Sequence, residues 1–166
     1  MPQIAYLSLG SNVGDREKNL RAAISRLGGT GQNAPGRIVL ASSFYETEPV
    51  EFTNQTWFLN AVVAFATDAT PEQLMASLLT IEQAMGRTRT QKKGPRTIDI
   101  DILLFGDAVI DSADLTIPHL AMPERRFVLA PLAEIAPEAL HPVLKKTAQE
   151  MLDTLPPGQV VRRVSF

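Results

Sequence analysis

The sequence predicts an α+β fold built on one antiparallel sheet, and three observations carry that prediction. Four short apolar segments, near 4–9, 38–46, 57–66 and 97–105, have the length and residue types of strands. Two segments between them repeat apolar residues at helical spacing. The resulting order is β-α-β-β-α-β, the ferredoxin-like plan of an antiparallel sheet with helices packed on one face.

Each element has a local cause. Ile4-Ala5-Tyr6-Leu7-Ser8-Leu9 reads as a buried strand ended by a Gly10-Ser11-Asn12 turn signal. Asp15 can cap a helix carrying Leu20, Ala23, Ile24 and Leu27 on one face, and Gly28-Gly29 stops it. Residues 38–46 read as a second strand and 57–66 as a third. Thr70-Pro71-Glu72-Gln73 combines an N-cap, a proline at the first helical position and a capping-box glutamine. Leu74, Leu78, Ile81 and Met85 follow on one face. In the last strand Ile98, Ile100, Ile102 and Leu104 point one way, and Thr97, Asp99 and Asp101 the other. Beyond it the reading is a helical and strand extension: a strand near 108–110, helical turns around 124–135, a helix near 147–154 and a strand at 160–164.

The 166 residues are 45% apolar and 20% charged, which suits one globular domain spanning 1–166 and excludes a disordered chain. The absence of cysteine excludes disulfides, zinc thiolates and a cysteine nucleophile. Two histidines are too few for a polyhistidine centre. The start has no secretory pattern, and no apolar run approaches the ~18 residues of a membrane helix, so a soluble cytoplasmic protein is expected. The net charge of −2 gives no argument for nucleic acid or membrane partners.

Charge is unevenly placed. Arg87, Arg89, Lys92, Lys93 and Arg96 put five of sixteen basic residues into ten positions without an acid. Asp99 and Asp101 follow, two apart on a strand, so their side chains share a face with roots roughly 6–7 Å apart. Hard oxygen ligands at that spacing suit Mg²⁺, which leaves its other positions to water and phosphates. Cations next to such a pair are what a nucleotide triphosphate needs. No Walker A loop or kinase HRD or DFG motif occurs. Asn60 interrupts an apolar strand and shares a face with Phe58, an arrangement open both to core packing and to reading a flat heterocycle. Pro118-His119 and Glu124-Arg125-Arg126-Phe127 form a second mixed polar cluster.

The run Lys92-Lys93-Gly94-Pro95-Arg96-Thr97-Ile98-Asp99-Ile100-Asp101-Ile102-Leu103 resembles the signature of the 6-hydroxymethyl-7,8-dihydropterin pyrophosphokinases (HPPK). Leu9-Gly10-Ser11-Asn12, the segment Ser42 to Pro49, Phe58-Leu59-Asn60-Ala61, Gly86-Arg87-Thr88-Arg89, and Pro118-His119 with Arg125 to Leu132 are similar to further family motifs, in the family's order over about residues 4–137. The resemblance implies a ferredoxin-like fold and pyrophosphate transfer from ATP to the pterin hydroxymethyl group, with AMP leaving, in folate biosynthesis. It implies two Mg²⁺ ions on Asp99 and Asp101, with Arg87, Arg89, Lys92 and Arg96 in a loop closing over the triphosphate. Arg87, Arg89, Arg96, Asp99 and Asp101 are then the catalytic set. Glu82, Arg89, Lys92, His119 and Arg125 fall on the ATP side. Phe58 and Phe127 sandwich the pterin, while Asn60, Thr47, Glu48 and Val50 read its edge. A monomer is expected, and so is a loop at 87–96 that is mobile before ligands arrive. Two positions depart from the pattern: Lys93 stands where an aromatic residue is common, and Leu120 follows His119. A nucleic-acid-binding module shares the strand order but needs aromatics where Asp99 and Asp101 stand, and its RNP1 pattern is absent. A non-catalytic regulatory domain of this fold would leave the aspartate pair unexplained.

Overall fold

The computed structural model describes residues 2–28, 35–48, 57–86, 97–158 and 160–164. β1 (Gln3–Ser11) leads into α1 (Arg16–Leu27), whose N-cap Asp15 accepts from the Lys18 N–H at 3.1 Å. β2 (Arg37–Ala41), β3 (Phe44–Thr47) and β4 (Phe58–Thr67) follow. The full capping box of Thr70 and Gln73 opens α2 (Pro71–Ala84), and β5 (Asp99–Phe105) completes the expected order. The chain continues through β6 (Ile110–Asp111), β7 (Thr116–Ile117), α3 (Arg126–Ile135), α4 (Ala148–Asp153) and β8 (Val161–Val164). The main sheet runs β5-β1-β4-β3-β8, with β2 also paired to β4. Every pairing is antiparallel.

Three expectations are corrected. The strand at 38–46 is two strands, because Ser42 interrupts the ladder. Its N–H donates to the Val62 carbonyl, and its hydroxyl accepts from the Val62 N–H, both at 2.9 Å. A side-chain oxygen thereby replaces a backbone acceptor.

The inward alternation of β5 stops short of Leu104. Leu7 pairs with Ile102 but Tyr6 pairs with Leu104, so Leu103 has no partner on β1. This bulge turns Leu104 to the opposite face from Ile100 and Ile102.

The two helices of the β-α-β-β-α-β unit pack on one face, as expected, and those of the extension cover part of the other. Leu20, Leu27, Leu74 and Leu78 of α1 and α2 meet Leu7, Leu9, Phe65 and Ile100 on one side. Val128, Leu129 and Leu132 of α3, with Met151 of α4, meet Val62, Leu103 and Leu104 on the other. The C-terminal extension therefore supplies a second core rather than an appendage.

Within that extension, the strand expected at 108–110 falls at Ile110–Asp111 and pairs with Thr116–Ile117 outside the main sheet. The expected helical turns are a 3-10 turn at Met122–Glu124 and one ten-residue helix, α3.

Because α3 and α4 cover only part of the second face, Phe58, Asp99 and Asp101 on that face remain partly exposed. The site lies there.

Candidate active site

Strand register assembles the site. Asn60 of β4 lies opposite Gly10 of β1, and Gly10 lies opposite Asp99 of β5. Directly opposite residues project to one face, so these three form a row across the sheet. Adjacent strands lie about 4.8 Å apart, which sets the roots of Asn60 and Asp99 at about 10 Å. Tyr45 extends the row beyond Asn60, while Asp101 and Ser8 form the neighbouring pair. The turn expected at Gly10-Ser11 is strand. A glycine inside a strand marks a close approach, and that was the available signal. An added Cβ at Gly10 would stand 2.9 Å from Asn60 Oδ1 and 3.6 Å from Phe58 Cδ1. The missing side chain thus lets the Asn60 amide and the edge of the Phe58 ring close over the β1 backbone.

Asn60 is 3% exposed, and its Nδ2 donates to Thr47 Oγ1 at 3.0 Å. That bond fixes the amide and holds Oδ1 over Gly10. Phe58 on β4 and Phe127 on α3 are half-buried on this same side of the sheet, each with part of its ring left accessible. The Arg125 guanidinium stacks over Phe127 at 5.5 Å from the ring centroid. Its neighbour Arg126 donates to the Pro156 carbonyl at 3.1 Å, so it ties α3 to the segment after α4.

The bulge in β5 places His119. The carbonyl of the unpaired Leu103 accepts the His119 N–H at 3.0 Å. His119 Nδ1 accepts from the Ala121 N–H at 3.2 Å, which leaves Nε2 facing Asp101 Oδ2 at 4.0 Å. Burial first, and then the Arg125 guanidinium, hold the imidazole below its ordinary pKa against the opposing pull of Asp99. The cluster of His119, Arg125, Asp99 and Asp101 is therefore brought together from β5, the turn before α3 and the start of α3.

Two members of the expected set are engaged elsewhere. The Glu48 carboxylate accepts the Val160 N–H at 2.9 Å beside β8. Glu82 is 2% exposed on α2, and its Oε2 accepts the Ile100 N–H at 2.8 Å. Val50, Arg87, Arg89, Lys92, Lys93 and Arg96 lie outside the described residues, as does the mobile loop expected at 87–96. Sequence reasoning missed Glu134, which fastens α3 to β3. Its carboxylate accepts from Tyr45 Oη at 2.7 Å, Ser43 Oγ at 2.9 Å and the Ser43 N–H at 3.1 Å. A Glu on a helix carries no local sign of such a partner 89 residues away.

Among the described residues no group of three or more His, Asp or Glu side chains gathers as a metal centre. Two partly exposed carboxylates on one strand face fit a hard divalent cation that completes its shell from substrate phosphates and water.

The family model for 7,8-dihydro-6-hydroxymethylpterin-pyrophosphokinase (HPPK) matches residues 6–137. The chain is 45% identical over 159 residues to the 2-amino-4-hydroxy-6-hydroxymethyldihydropteridine pyrophosphokinase of Methylorubrum extorquens, covering 95% of this chain and 97% of that one. The chain belongs to the HPPK family. The Bacillus subtilis HPPK is 48% identical over 135 residues, 81% of this chain and 79% of that protein. The folic acid synthesis protein of Schizosaccharomyces pombe is 45% identical over 155 residues, 93% of this chain but only 21% of its own length. Among solved structures, an HPPK-DHPS complex with substrates superposes at a TM-score of 0.71 and 18% identity, covering 93% of this chain and 43% of that one. That likeness concerns the fold. As an HPPK, the chain is a Mg-ATP-dependent transferase of folate biosynthesis, and ATP is its co-substrate.

Proposed function

We propose that this HPPK binds the pterin along the Asn60–Gly10–Asp99 row and moves pyrophosphate onto its hydroxymethyl oxygen at the aspartate end. The row is the observation that carries the reading. An amide fixed by Thr47 stands at one end, two carboxylates stand at the other, and the glycine between them adds no side chain to the row. Phe58 and Phe127 hold the two faces of the ring, and Asn60 with Thr47, Glu48 and Val50 reads its edge. The roughly 10 Å between the roots of Asn60 and Asp99 suits a bicyclic ring gripped at its far edge with its arm toward the aspartates.

Asp99 and Asp101 would hold the Mg²⁺, two ions in this reading, which when bound would supply charge neutralisation to the triphosphate. On the nucleotide side, His119 and Arg125 face the triphosphate, joined by Arg87, Arg89, Lys92 and Arg96. Glu82 supports the same side from beneath β5. The pterin hydroxymethyl oxygen forms a bond to the β-phosphorus and releases its proton to solvent, the bond from that phosphorus to the α-phosphate oxygen breaks, and AMP departs. Alignment and charge neutralisation, rather than a covalent intermediate, carry such a transfer. All the named groups belong to one chain, so a monomer suffices. No helix among the described residues is long and apolar enough to cross a membrane, and a Mg-ATP reaction suits the cytoplasm.

The test is AMP release with 6-hydroxymethyl-7,8-dihydropterin as acceptor. Asp99→Asn and Asp101→Asn should each lower turnover by at least about a hundredfold, the scale of losing one transition-state electrostatic contact. Thermal unfolding should be little changed, since Asp101 is 39% exposed. Near-normal turnover in the double variant at ordinary Mg²⁺ would refute the assignment.

A further inference from the structure

We propose that Glu82 is a positioning residue: its buried carboxylate pins the backbone between Asp99 and Asp101 and so sets how that pair meets the metal-bound nucleotide. The inference rests on the reading of Asp99 and Asp101 as the metal pair.

Among the described residues β5 is an edge of the sheet, paired on one side only with β1. The two aspartates occupy its first and third positions, where an edge strand has most freedom to fray. Successive N–H groups of an antiparallel strand point to opposite edges. The Ile100 N–H, between the aspartates, is the one that Glu82 Oε2 accepts at 2.8 Å. The bond therefore supplies at the open edge what a neighbouring strand would supply elsewhere. A charged acceptor makes such a bond roughly twice as strong as a neutral one.

Position also separates Glu82 from the ligand. It lies on the α2 side of the sheet beside Leu78 and Ile81, whereas Asp99 and Asp101 project to the opposite face. At 2% exposure its carboxylate reaches the site through the strand. Burying a carboxylate among apolar residues is costly, and leucine would pack there at lower cost. Leucine would also leave the Ile100 N–H without this acceptor and let the first turn of the pleat shift, moving both aspartates together.

Three measurements on the full chain test this: calorimetric binding of α,β-methylene-ATP with Mn²⁺, binding of the same nucleotide in EDTA, and exchange of the Ile100 amide by NMR. Glu82→Leu should speed Ile100 exchange and weaken the Mn²⁺-nucleotide complex about tenfold, with metal-free nucleotide binding unchanged. Glu82→Gln, which keeps an oxygen acceptor, should stay within about twofold of wild type in all three. An equal loss with and without metal would mean direct nucleotide contact and overturn the proposal. So would a Glu82→Leu protein with faster Ile100 exchange and undiminished metal-nucleotide affinity. If Glu82→Leu does not fold, Glu82→Gln decides: loss of Mn²⁺-nucleotide binding at an unchanged melting temperature overturns it. Metal-dependent binding that persists in the Asp99→Asn/Asp101→Asn double variant would instead refute the metal reading beneath it.

Discussion

Gly10→Ala probes the row at its centre. The new methyl would stand 2.9 Å from Asn60 Oδ1, whereas ordinary contact begins at 3.4 Å. The amide must therefore retreat by half an ångström. Asn60 lies between β1 and β3, so that retreat presses Nδ2 toward Thr47, its partner at 3.0 Å, and the side chain must leave its rotamer to make room. Overpacking a buried site in this way costs about 1–3 kcal/mol. Alanine returns about 0.4–1 kcal/mol by restricting the unfolded chain. The expected net loss is about 1–2 kcal/mol of folding stability. Function should suffer more selectively, because the methyl displaces the amide proposed to read the pterin edge. Pterin affinity should fall at least about tenfold, equivalent to about 1.4 kcal/mol, while ATP-analogue affinity holds within about twofold. Denaturant unfolding and separate isotherms for the two ligands measure these terms. The Asn60→Ala background adds a control. There the nearest remaining atom is Phe58 Cδ1 at 3.6 Å, so the stability cost of Gly10→Ala should vanish. A Gly10→Ala protein with wild-type stability and pterin affinity would refute the geometry on which the site is built.

Phe58→Ala and Phe127→Ala should each weaken pterin binding several-fold while barely moving nucleotide affinity, since ring stacking contributes about 0.5–1.5 kcal/mol beyond burial; equal losses for both ligands would assign them to packing alone. Burial first, and then the bond to Glu134, push the Tyr45 phenol up to about 12. Tyr6 is also raised by burial. The folded value exceeds the unfolded one of about 10, so this stability is fully present below about pH 10 and is lost as pH rises toward 12. Absorbance titration should accordingly show little tyrosinate at pH 10, with Tyr45→Phe reducing the alkaline sensitivity of unfolding; a phenol half-ionised at pH 10 in the folded protein contradicts the network.

Local chemistry was legible where its cause was local. Asp15 and the Thr70–Gln73 pair cap the two helices the sequence assigns to them, because a cap needs only residues three positions apart. The shared face of Asp99 and Asp101 follows from the two-residue period of a strand, and the structure keeps both side chains on the face opposite Ile100 and Ile102. Ser42 and Leu103 were not legible in the same way. An interrupted ladder depends on what the partner strand offers at that register, and neither residue carries that information. The second core was hidden for a related reason: α3 and α4 bury their apolar face against the side of the sheet that also carries Asp99, and strand alternation alone marks that side as polar. The amino-acid sequence by itself determined the caps of α1 and α2, the order in which the first strands and helices follow one another, and the shared face of Asp99 and Asp101, since these are matters of spacing along one chain. Only the tertiary structure decided that Gly10 lies between Asn60 and Asp99, that the Leu103 carbonyl anchors His119, and that Glu82 reaches through β5 to Ile100. Each joins residues that lie between 16 and 89 positions apart, and such contacts exist only once strand register and helix packing have been set.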